Sequence, residues 1–468
     1  MLAAGIEEFE ADLAKRLEET RESRPDPSRV REVIAKAGEL KGLEPEEVGV
    51  LATAEDEDVL SEMFQAARRV KETIYGRRLV LFAPLYIANF CQNECLYCAF
   101  RASNREVKRR ALDQNEIANE VRTLVEGGHK RVLLVAGERY PGEGIGYILD
   151  AIGTIYATRS GNGEIRRVNV NIAPLTVEGF RDLKAAQIGT YQVFQETYDR
   201  AAYERVHISG PKADFEWRLG AMDRAMEAGI DDVGVGSLFG LTDWRVELVG
   251  LLEHAKHLEK RFGVGPHTIS VPRLEPASGS EIASRPPYDV TDLDFLKIVA
   301  ILRLAVPYTG IIMSTRETPE MRRQTFALGV SQISAGSRTN PGGYSQDRIE
   351  GPPEESQFSL GDHRNLDEVI RDVAGHGYIP SFCTACYRLG RTGGDFMDLA
   401  KPGEIKAHCG PNAVSTFTEY LEDYGSPETK RAGEEAIGRI LEGMPPRVRD
   451  RAERMVRRVR SGERDVFC

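Results

Sequence analysis

Short apolar runs rich in β-branched residues alternate with amphipathic stretches from residue 78 to residue 337. Eight such runs can be distinguished: RRLVLFAPLYI, HKRVLLVAGE, RRVNVNIAP, GTYQVFQET, DDVGVGSLFG, HTISVPRL, TGIIMSTRE and VSQISAGS. Strands that alternate with helices in this way predict a parallel sheet with crossover helices. Eight is the number of strands that closes a (β/α)8 barrel, so the pattern predicts a TIM-type barrel.

The segment after residue 112 shows how the intervening helices are assigned. Asp113 and Glu116 have the spacing of a capping box, and Gly127–Gly128 provides a stop. The apolar residues between them fall on one helical face: Ile117, Val121, Leu124 and Val125.

Composition changes at both ends of the predicted barrel. Residues 1–77 are rich in Glu, Lys, Arg, Ala and Leu with helical spacing, which predicts an N-terminal helical region before a barrel at 78–338. The stretch TNPGGYSQDRIEGPPEESQ, beginning at Thr339, predicts an exposed connection into a C-terminal region at 339–468.

Charge and hydropathy narrow the class of protein. No apolar run approaches the roughly 18–20 residues of a membrane span, and the acidic, helical start lacks the features of a secretory signal. We therefore expect a soluble, cytoplasmic protein without a membrane partner. The net charge of −11 argues against a nucleic-acid partner, because phosphate binding needs a basic surface.

The segment NFCQNECLYCAF contains three of the seven cysteines. Cys91, Cys95 and Cys98 follow the first predicted strand, at the barrel face where active sites are built. In a reducing compartment such cysteines are metal ligands more often than disulfides. Three thiolates suit a [4Fe–4S] cluster with one open iron, the alternative being a zinc site with three cysteine ligands or three incidental cysteines.

A second set of cysteines lies near the other end of the chain. Cys383, Cys386 and Cys409 have the spacing of a metal-stapled loop. Zinc is the alternative to a cluster here, with His408 or His376 as fourth ligand. Cys468 is interpreted as a solvent-exposed bystander.

The first cysteine loop, with an aromatic Tyr97 before its last cysteine, resembles the signature of radical S-adenosylmethionine (SAM) enzymes. In that superfamily the open iron binds SAM, whose cleavage gives a 5′-deoxyadenosyl radical. The resemblance implies that Glu138, in VAGE, binds the SAM amino group. It also extends to the adenine-contacting motif in GSLFGLTD, where Asp243 replaces a more usual Glu and the matching residues are Gly236, Leu238 and Gly240.

Longer stretches resemble the HydG family, the tyrosine lyases that mature [FeFe]-hydrogenase. They include CTACYR, GRTG, QVFQETY, GVGPHTISVPRL and VPYTGIIMSTRE, and the similarity runs from about residue 70 to 425. The resemblance implies that the second triad holds an auxiliary [4Fe–4S] cluster. A free cysteine would bridge this cluster to a labile fifth iron, with His267 as the protein ligand of that iron.

The implied reaction cleaves the Cα–Cβ bond of L-tyrosine to p-cresol and dehydroglycine, and dehydroglycine then yields CO and cyanide. Tyrosine and cysteine are the implied substrates, with an electron donor and other hydrogenase maturation proteins as candidate partners. Arg316 could clamp the tyrosine carboxylate, with Ser334 or Ser337 as further donors. The alternative pairs Arg316 with Glu317 or Glu275.

Three other functions stay open at this point. A 2-iminoacetate synthase of thiamine biosynthesis shares the first chemistry but is not expected to carry the second triad. A radical SAM relative could act on another substrate. A non-enzymatic iron–sulfur carrier would leave the SAM-type motifs unexplained.

Overall fold

The computed structural model describes residues 2–22, 26–346 and 356–468. Its strands are β1 (Arg78–Ala88), β2 (Arg131–Ala136), β3 (Arg159–Ser160), β4 (Gly163–Glu164), β5 (Arg167–Asn171), β6 (Tyr191–Gln192), β7 (Val233–Gly236), β8 (Thr268–Ser270), β9 (Gly310–Met313), β10 (Val330–Ser334) and β11 (Ile379–Ser381).

Eight of these strands close into a parallel barrel. Their order is β1-β2-β5-β6-β7-β8-β9-β10, and β10 pairs with β1 to complete the ring. Each of the eight runs identified in the sequence contains one of these strands, so the predicted barrel is confirmed. The sequence did not predict β3 and β4, which form a short antiparallel hairpin before β5.

A ninth strand joins the barrel at its amino-terminal end. Val80 of β1 pairs with Gln332 of β10 and also with Ser381 of β11. A strand residue can pair with one neighbouring strand on each side. Because β10 occupies one side of Val80, β11 occupies the other side, along which β2 lies further up. Pairing with β2 begins only at Ala83. The chain that follows β11 therefore starts beneath the barrel, at the end opposite to the first cysteine loop.

Helices cover the outside of the barrel and extend both ends of the chain. Those before and around the barrel are α1 (Leu2–Glu22), α2 (Pro27–Ala37), α3 (Pro45–Ala52), α4 (Glu57–Ile74), α5 (Gln114–Glu126), α6 (Gly146–Ala157), α7 (Val177–Ala185), α8 (Arg200–Val206), α9 (Phe215–Leu219), α10 (Ala221–Glu227), α11 (Trp244–Phe262), α12 (Glu281–Ser284), α13 (Asp292–Ala305) and α14 (Pro319–Leu328). Those after it are α15 (Leu366–Gly375), α16 (Ala385–Arg388), α17 (Gly393–Ala400), α18 (Lys406–Asp423), α19 (Pro427–Glu442) and α20 (Pro446–Arg460).

The helix predicted after residue 112 is α5, and its capping box and Gly127 C-cap are both present. The N-terminal helices complete the outer layer: α4 packs on α13 and α14, and α1 and α3 pack on α11. Within the described ranges, none of the helices combines the length and apolar character that a membrane span requires.

The predicted exposed connection after residue 338 is wrong over residues 339–343, which are buried. The next residues explain why, because they are pinned to the barrel. Glu120 of α5 accepts hydrogen bonds from the backbone N–H groups of Tyr344 (2.9 Å) and Ser345 (2.7 Å), and the Tyr344 hydroxyl donates to the Pro84 carbonyl (2.7 Å). Residues 347–355 of this connection lie outside the described residues.

Arg303 of α13 holds the lower ends of β9 and β10. Its fully buried guanidinium donates to the carbonyl oxygens of Gly329 (2.7 Å), Pro307 (2.8 Å) and Thr309 (3.0 Å). We expect Arg303→Met to lower the free energy of unfolding of the metal-free protein by about 3 kcal/mol, because it leaves buried carbonyls unpaired. Chemical denaturation followed by circular dichroism measures this, with the exposed Arg181→Met as control. Equal stability of the two variants would contradict the role of Arg303.

Candidate active site and second cysteine centre

The first cysteine triad lies in the loop after β1, and all three thiols are free. Backbone hydrogen bonds from Leu96 to Val206 (2.9 Å) and from Cys98 to Cys95 (3.0 Å) fix the loop against α8. The triad therefore stands at the carboxyl end of the barrel, where the sequence placed it.

A cavity opens above the barrel strands beside this loop. Most of the site residues named from the sequence line it: Cys91, Cys95, Tyr97, Cys98, Glu138, Leu238, Arg316 and Ser334. Gly236, Gly240 and Ser337 lie outside its lining. At Gly236 a Cβ would stand 2.7 Å from the Phe194 ring, and Gly240 has φ 115°, so both positions suit glycine for local reasons.

Glu138 reaches the triad because a glycine, Gly137, follows β2. A Cβ at Gly137 would lie 2.2 Å from the carbonyl oxygen of Phe90, so only glycine allows this close approach. The Glu138 carboxylate then accepts hydrogen bonds from Asn93 Nδ2 (2.5 Å) and Arg218 Nη1 (3.2 Å). The same Asn93 amide lies 3.7 Å from the sulfur of Cys91, which links the carboxylate to the cysteine loop.

A second carboxylate, Glu196, faces the same cavity. It pairs with Lys212 (2.6 Å) and with Arg218 (3.4 Å). Burial favours its neutral form, but Lys212 and Arg218 outweigh burial and hold the pKa of Glu196 below its ordinary value. Its φ of 72° is unusual for a non-glycine residue and marks a constrained strand end.

Sequence reasoning missed this network. Glu196 is the second-last residue of the fourth predicted strand run, so the strand-end rule for barrels could have found it. Lys212 and Arg218 carried no spacing signal, since they come from the α8–α9 region and reach the site only through the fold.

Tyr97 is held by a buried histidine. The pKa of His207 is lowered by burial and by the nearby Lys212 and Arg218, so the imidazole is neutral. Its Nδ1–H donates to the Tyr203 carbonyl (2.9 Å), which leaves Nε2 to accept from the Tyr97 hydroxyl (2.9 Å). The residue before Cys98 is thus fixed by a chain of hydrogen bonds.

The thiols of the triad are poised to exchange protons for metal. Burial raises the pKa of Cys95 and of Cys98, so both stay protonated until a metal replaces the proton. Gln357 Nε2 lies 3.7 Å from the Cys98 sulfur, as a donor suited to a sulfur ligand.

Arg316 points its guanidinium at the cavity, 3.3 Å from the centroid of the Phe358 ring. Within the described residues it forms no salt bridge with Glu317 or Glu275. Glu317 instead pairs with Arg273, whose Nε is 2.9 Å away. Burial and the Glu317 charge raise the pKa of Glu275, which also lines the cavity, to about 7.

The two serines named with Arg316 differ in position. Ser334 Oγ lines the cavity and accepts a hydrogen bond from the Thr315 backbone N–H (3.1 Å). The Ser337 hydroxyl is buried and has no hydrogen-bond partner in the part of the chain that the structure describes.

A second cavity lies at the amino-terminal end of the barrel, and the second triad lines it. Cys383 follows β11, Cys386 lies in α16 and Cys409 lies in the first turn of α18. His267, just before β8, lines the same cavity, with its ring centroid 5.0 Å from that of Phe396 and its Nδ1 3.6 Å from Asp232.

Arginines dominate the charge of this lower cavity. Arg78, Arg131 and Arg391 line it, against a single acidic side chain among its described lining residues, Asp232. A hydrogen bond from Cys386 lowers the pKa of Cys409; burial opposes this effect, and Arg78 and Arg391 add to it. The surroundings therefore favour the thiolate of Cys409, whereas burial raises the pKa of Cys383 and the hydrogen bond with Cys409 raises that of Cys386.

Neither histidine named for the zinc alternative reaches the second triad. His408 and His376 do not line the cavity, and His376 lies half-exposed against Asp372. Across residues 2–22, 26–346 and 356–468, no three His, Cys, Asp or Glu side chains stand close enough to hold one metal ion. A cluster places each ligand on a separate iron, so it tolerates wider spacing between the thiols.

The expected solvent exposure of Cys468 is wrong. The residue is half-buried, and its backbone N–H donates to Asn412 Oδ1 (2.8 Å). Its carbonyl oxygen accepts hydrogen bonds from Arg391 (2.9 Å) and Asn412 (3.1 Å). These contacts bring residue 468 beside the second triad.

Strands of the barrel contribute polar and small residues to both cavities. Gln192 and Ser270 line the upper cavity, and Gly310, Ser331 and Gln332 line the lower one.

Comparisons with known proteins agree with this geometry. The Radical SAM superfamily model matches residues 85–254, and that of the Biotin and Thiamin Synthesis associated domain matches residues 270–379. The 2-iminoacetate synthase of Salmonella typhimurium is 34% identical over 324 residues, which cover 69% of this chain and 82% of that protein.

Two solved structures match nearly the whole chain. A crystal structure of HydG, a maturase of the [FeFe]-hydrogenase, is 51% identical with a TM-score of 0.93 and covers 98% of this chain and 99% of that one. The [FeFe]-hydrogenase maturase HydG from Carboxydothermus hydrogenoformans is 41% identical with a TM-score of 0.84 and covers 96% and 99%. This chain belongs to the HydG family of radical SAM enzymes. Membership of the HydG family implies a [4Fe–4S] cluster with SAM and small-molecule substrates.

The iron content of variants tests the assignment of the two triads. We expect Cys98→Ala and Cys386→Ala each to remove about half of the iron bound after anaerobic reconstitution, since each triad would lose one four-iron cluster. Iron analysis with electron paramagnetic resonance measures this. Cys468→Ser serves as control and should keep all of its iron. Full iron in either alanine variant would contradict the assignment.

Proposed function

We propose that this protein is a tyrosine lyase that cleaves the Cα–Cβ bond of L-tyrosine to p-cresol and dehydroglycine and converts dehydroglycine to CO, cyanide and water. The products would serve assembly of the [FeFe]-hydrogenase H-cluster. The observation that supports this most strongly is the pair of cysteine triads at opposite ends of one barrel.

The upper cavity suits a SAM-cleaving cluster. The cluster would be held by Cys91, Cys95 and Cys98. Glu138 lines the same cavity and would accept a hydrogen bond from the amino group of SAM. When bound, the cluster and SAM together supply a 5′-deoxyadenosyl radical. The Leu238 side chain lines the same cavity and would pack on the adenosine, while Gly236 and Gly240 shape the strand end that carries it.

The same cavity can hold the tyrosine substrate. Arg316 has no carboxylate partner among the described residues, so its guanidinium is available to clamp the tyrosine carboxylate. Ser334 is placed to add a hydrogen bond. A donor role for Ser337 stays a prediction, because its hydroxyl lies outside the cavity lining.

The substrate ammonium group must lose a proton before a nitrogen-centred radical can fragment the molecule. Glu275 is placed to accept that proton, since it lines the cavity with Arg316 and has a pKa of about 7. Its carboxylate would be charged and able to act as a base only above that pH.

Dehydroglycine would reach the lower cavity through the barrel interior. Escape to water would hydrolyse it, so an enclosed route protects the intermediate. The polar side chains of Gln192, Ser270 and Gln332 can hydrogen-bond a small polar molecule along this route.

The lower cavity would hold the auxiliary [4Fe–4S] cluster on Cys383, Cys386 and Cys409. His267 is placed to bind the labile iron, which is supplied together with free cysteine. An imidazole nitrogen is a suitable iron ligand, and the surrounding arginines favour the anionic cysteine and cyanide.

A 2-iminoacetate synthase is the second candidate function. The 34% identity with the Salmonella protein supports it, and it shares the tyrosine cleavage. It leaves the second triad and the arginines around it without a role, so we favour the two-site reaction.

Separate loss of the two half-reactions tests the proposal. Cys386→Ala should keep p-cresol formation within about twofold of wild type and reduce CO release at least tenfold, because only the lower site changes. Cys98→Ala should abolish both products. Equal loss of both products in Cys386→Ala would contradict the division between the two sites.

The role of Glu275 predicts a pH profile. The rate of p-cresol formation should rise as pH passes through about 7, because Glu275 becomes charged above its raised pKa. Glu275→Gln should lower the rate at pH 8 at least tenfold and remove most of the rise with pH. The exposed Glu143→Gln should show the same rise as wild type. Initial rates between pH 6 and 8.5 measure the profile. An unchanged rise of the rate with pH in Glu275→Gln would refute the role of Glu275 as the base.

A further inference from the structure

The chain after α20 returns along α18 and ends beside the second triad. We define residues 464–468 as the strap. One face of α18 carries the polar side chains that contact it, spaced three, four and four residues apart, which keeps them in one row: Asn412, Ser415, Glu419 and Asp423.

Each of these side chains has a specific partner in the strap. Asp423 pairs with Arg464 (2.5 Å), and Glu419 accepts from the Asp465 backbone N–H (2.9 Å). Ser415 donates to the Val466 carbonyl (2.7 Å). Asn412 bonds both the N–H and the carbonyl of Cys468, as described above.

The helix face needs these partners. Asn412, Ser415 and Glu419 are at most 1% exposed, and a buried polar group without a partner is costly. Glu419 also accepts two hydrogen bonds from Arg166, at 2.7 and 3.2 Å, which ties the centre of the row to the barrel.

The other side of the strap contacts the Cys386 turn. Arg388 of α16 forms two hydrogen bonds with the Asp465 carboxylate, at 2.5 and 2.7 Å, and its guanidinium lies 4.3 Å from the centroid of the Phe467 ring. Arg391 donates to the Cys468 carbonyl, and its own backbone N–H donates to the Cys386 carbonyl (2.8 Å). The strap therefore bridges the segment that carries Cys386 and the helix that carries Cys409.

We propose that the strap is a positioning element for the second cysteine triad. It clamps the Cys386 turn to α18 and so sets the distance between the Cys386 and Cys409 thiols, which come from segments separated by α17. It acts through its backbone and the Asp465 carboxylate, and the Cys468 thiol takes no part. The clamping itself does not depend on a second cluster. Only its expected consequence, tighter retention of iron by the second triad, rests on the proposed function.

The first arm of the test uses metal-free protein and does not depend on any cluster. Dibromobimane, a short thiol–thiol reagent, should cross-link Cys386 to Cys409 in the wild type, with the linked peptides identified by mass spectrometry. Asp465→Asn should slow this reaction about fivefold, because it weakens the ion pairs of this carboxylate with Arg388 and with Arg166, whose Nη1 is 3.2 Å away. Asn also tolerates the φ of 59° at this position, so the backbone is not strained. The exposed Asp450→Asn on α20 is the matched control.

The second arm uses reconstituted protein challenged with an iron chelator. Asp465→Asn should lose iron from the second triad about fivefold faster than wild type, and deletion of residues 465–468 should lose it faster still. SAM cleavage at the first triad should stay unchanged, and thermal melts should show that the variants are folded. Cys468→Ser should behave as wild type in both arms.

The outcomes separate the possible failures. Wild-type rates for Asp465→Asn and the deletion in both arms would overturn the strap. Loss of iron in Cys468→Ser would overturn it in a different way, by making the thiol itself a ligand. If Asp465→Asn slows cross-linking but the reconstituted wild type binds only one cluster, the strap stands and the second cluster is refuted.

Discussion

A single strand, β1, links both cysteine triads to the barrel. Its carboxyl end leads into the loop of Cys91, Cys95 and Cys98, and its amino end pairs with β11, which leads into Cys383. The stretch from Val80 to Ala88 spans about 25 Å at the usual rise of a strand. The closed barrel therefore holds the two cysteine triads at a constant separation, one at each end.

The two ends meet different electrostatic demands. At the upper end, Glu138 and Glu196 are balanced by Lys212 and Arg218, which leaves Arg316 available for an anionic substrate group. At the lower end, arginines surround the thiols with little opposing charge. Under the proposed function, this division suits the zwitterionic amino-acid groups of SAM and tyrosine above, and anionic cysteine and cyanide below.

Much of this arrangement was readable from local sequence. Strand runs, the α5 cap and the cysteine spacing depend on neighbouring residues, so pattern alone predicted them. Lys212, Arg218 and the strap depend on distant segments brought together by packing, and no spacing rule covers them. The buried course of residues 339–343 was missed because their Gly- and Pro-rich composition is typical of exposed loops, whereas Glu120 and Pro84 hold the adjoining residues.

The most direct measurement is turnover with tyrosine labelled with ¹³C at its carboxyl carbon, together with SAM, reductant, iron and cysteine under anaerobic conditions. Dehydroglycine keeps that carbon, and its C–N unit would become cyanide, so the label should appear in CO. Our account predicts labelled CO, trapped by a haem protein, in proportion to p-cresol in the same sample. Formation of p-cresol with no labelled CO would contradict the two-site reaction and favour an iminoacetate synthase.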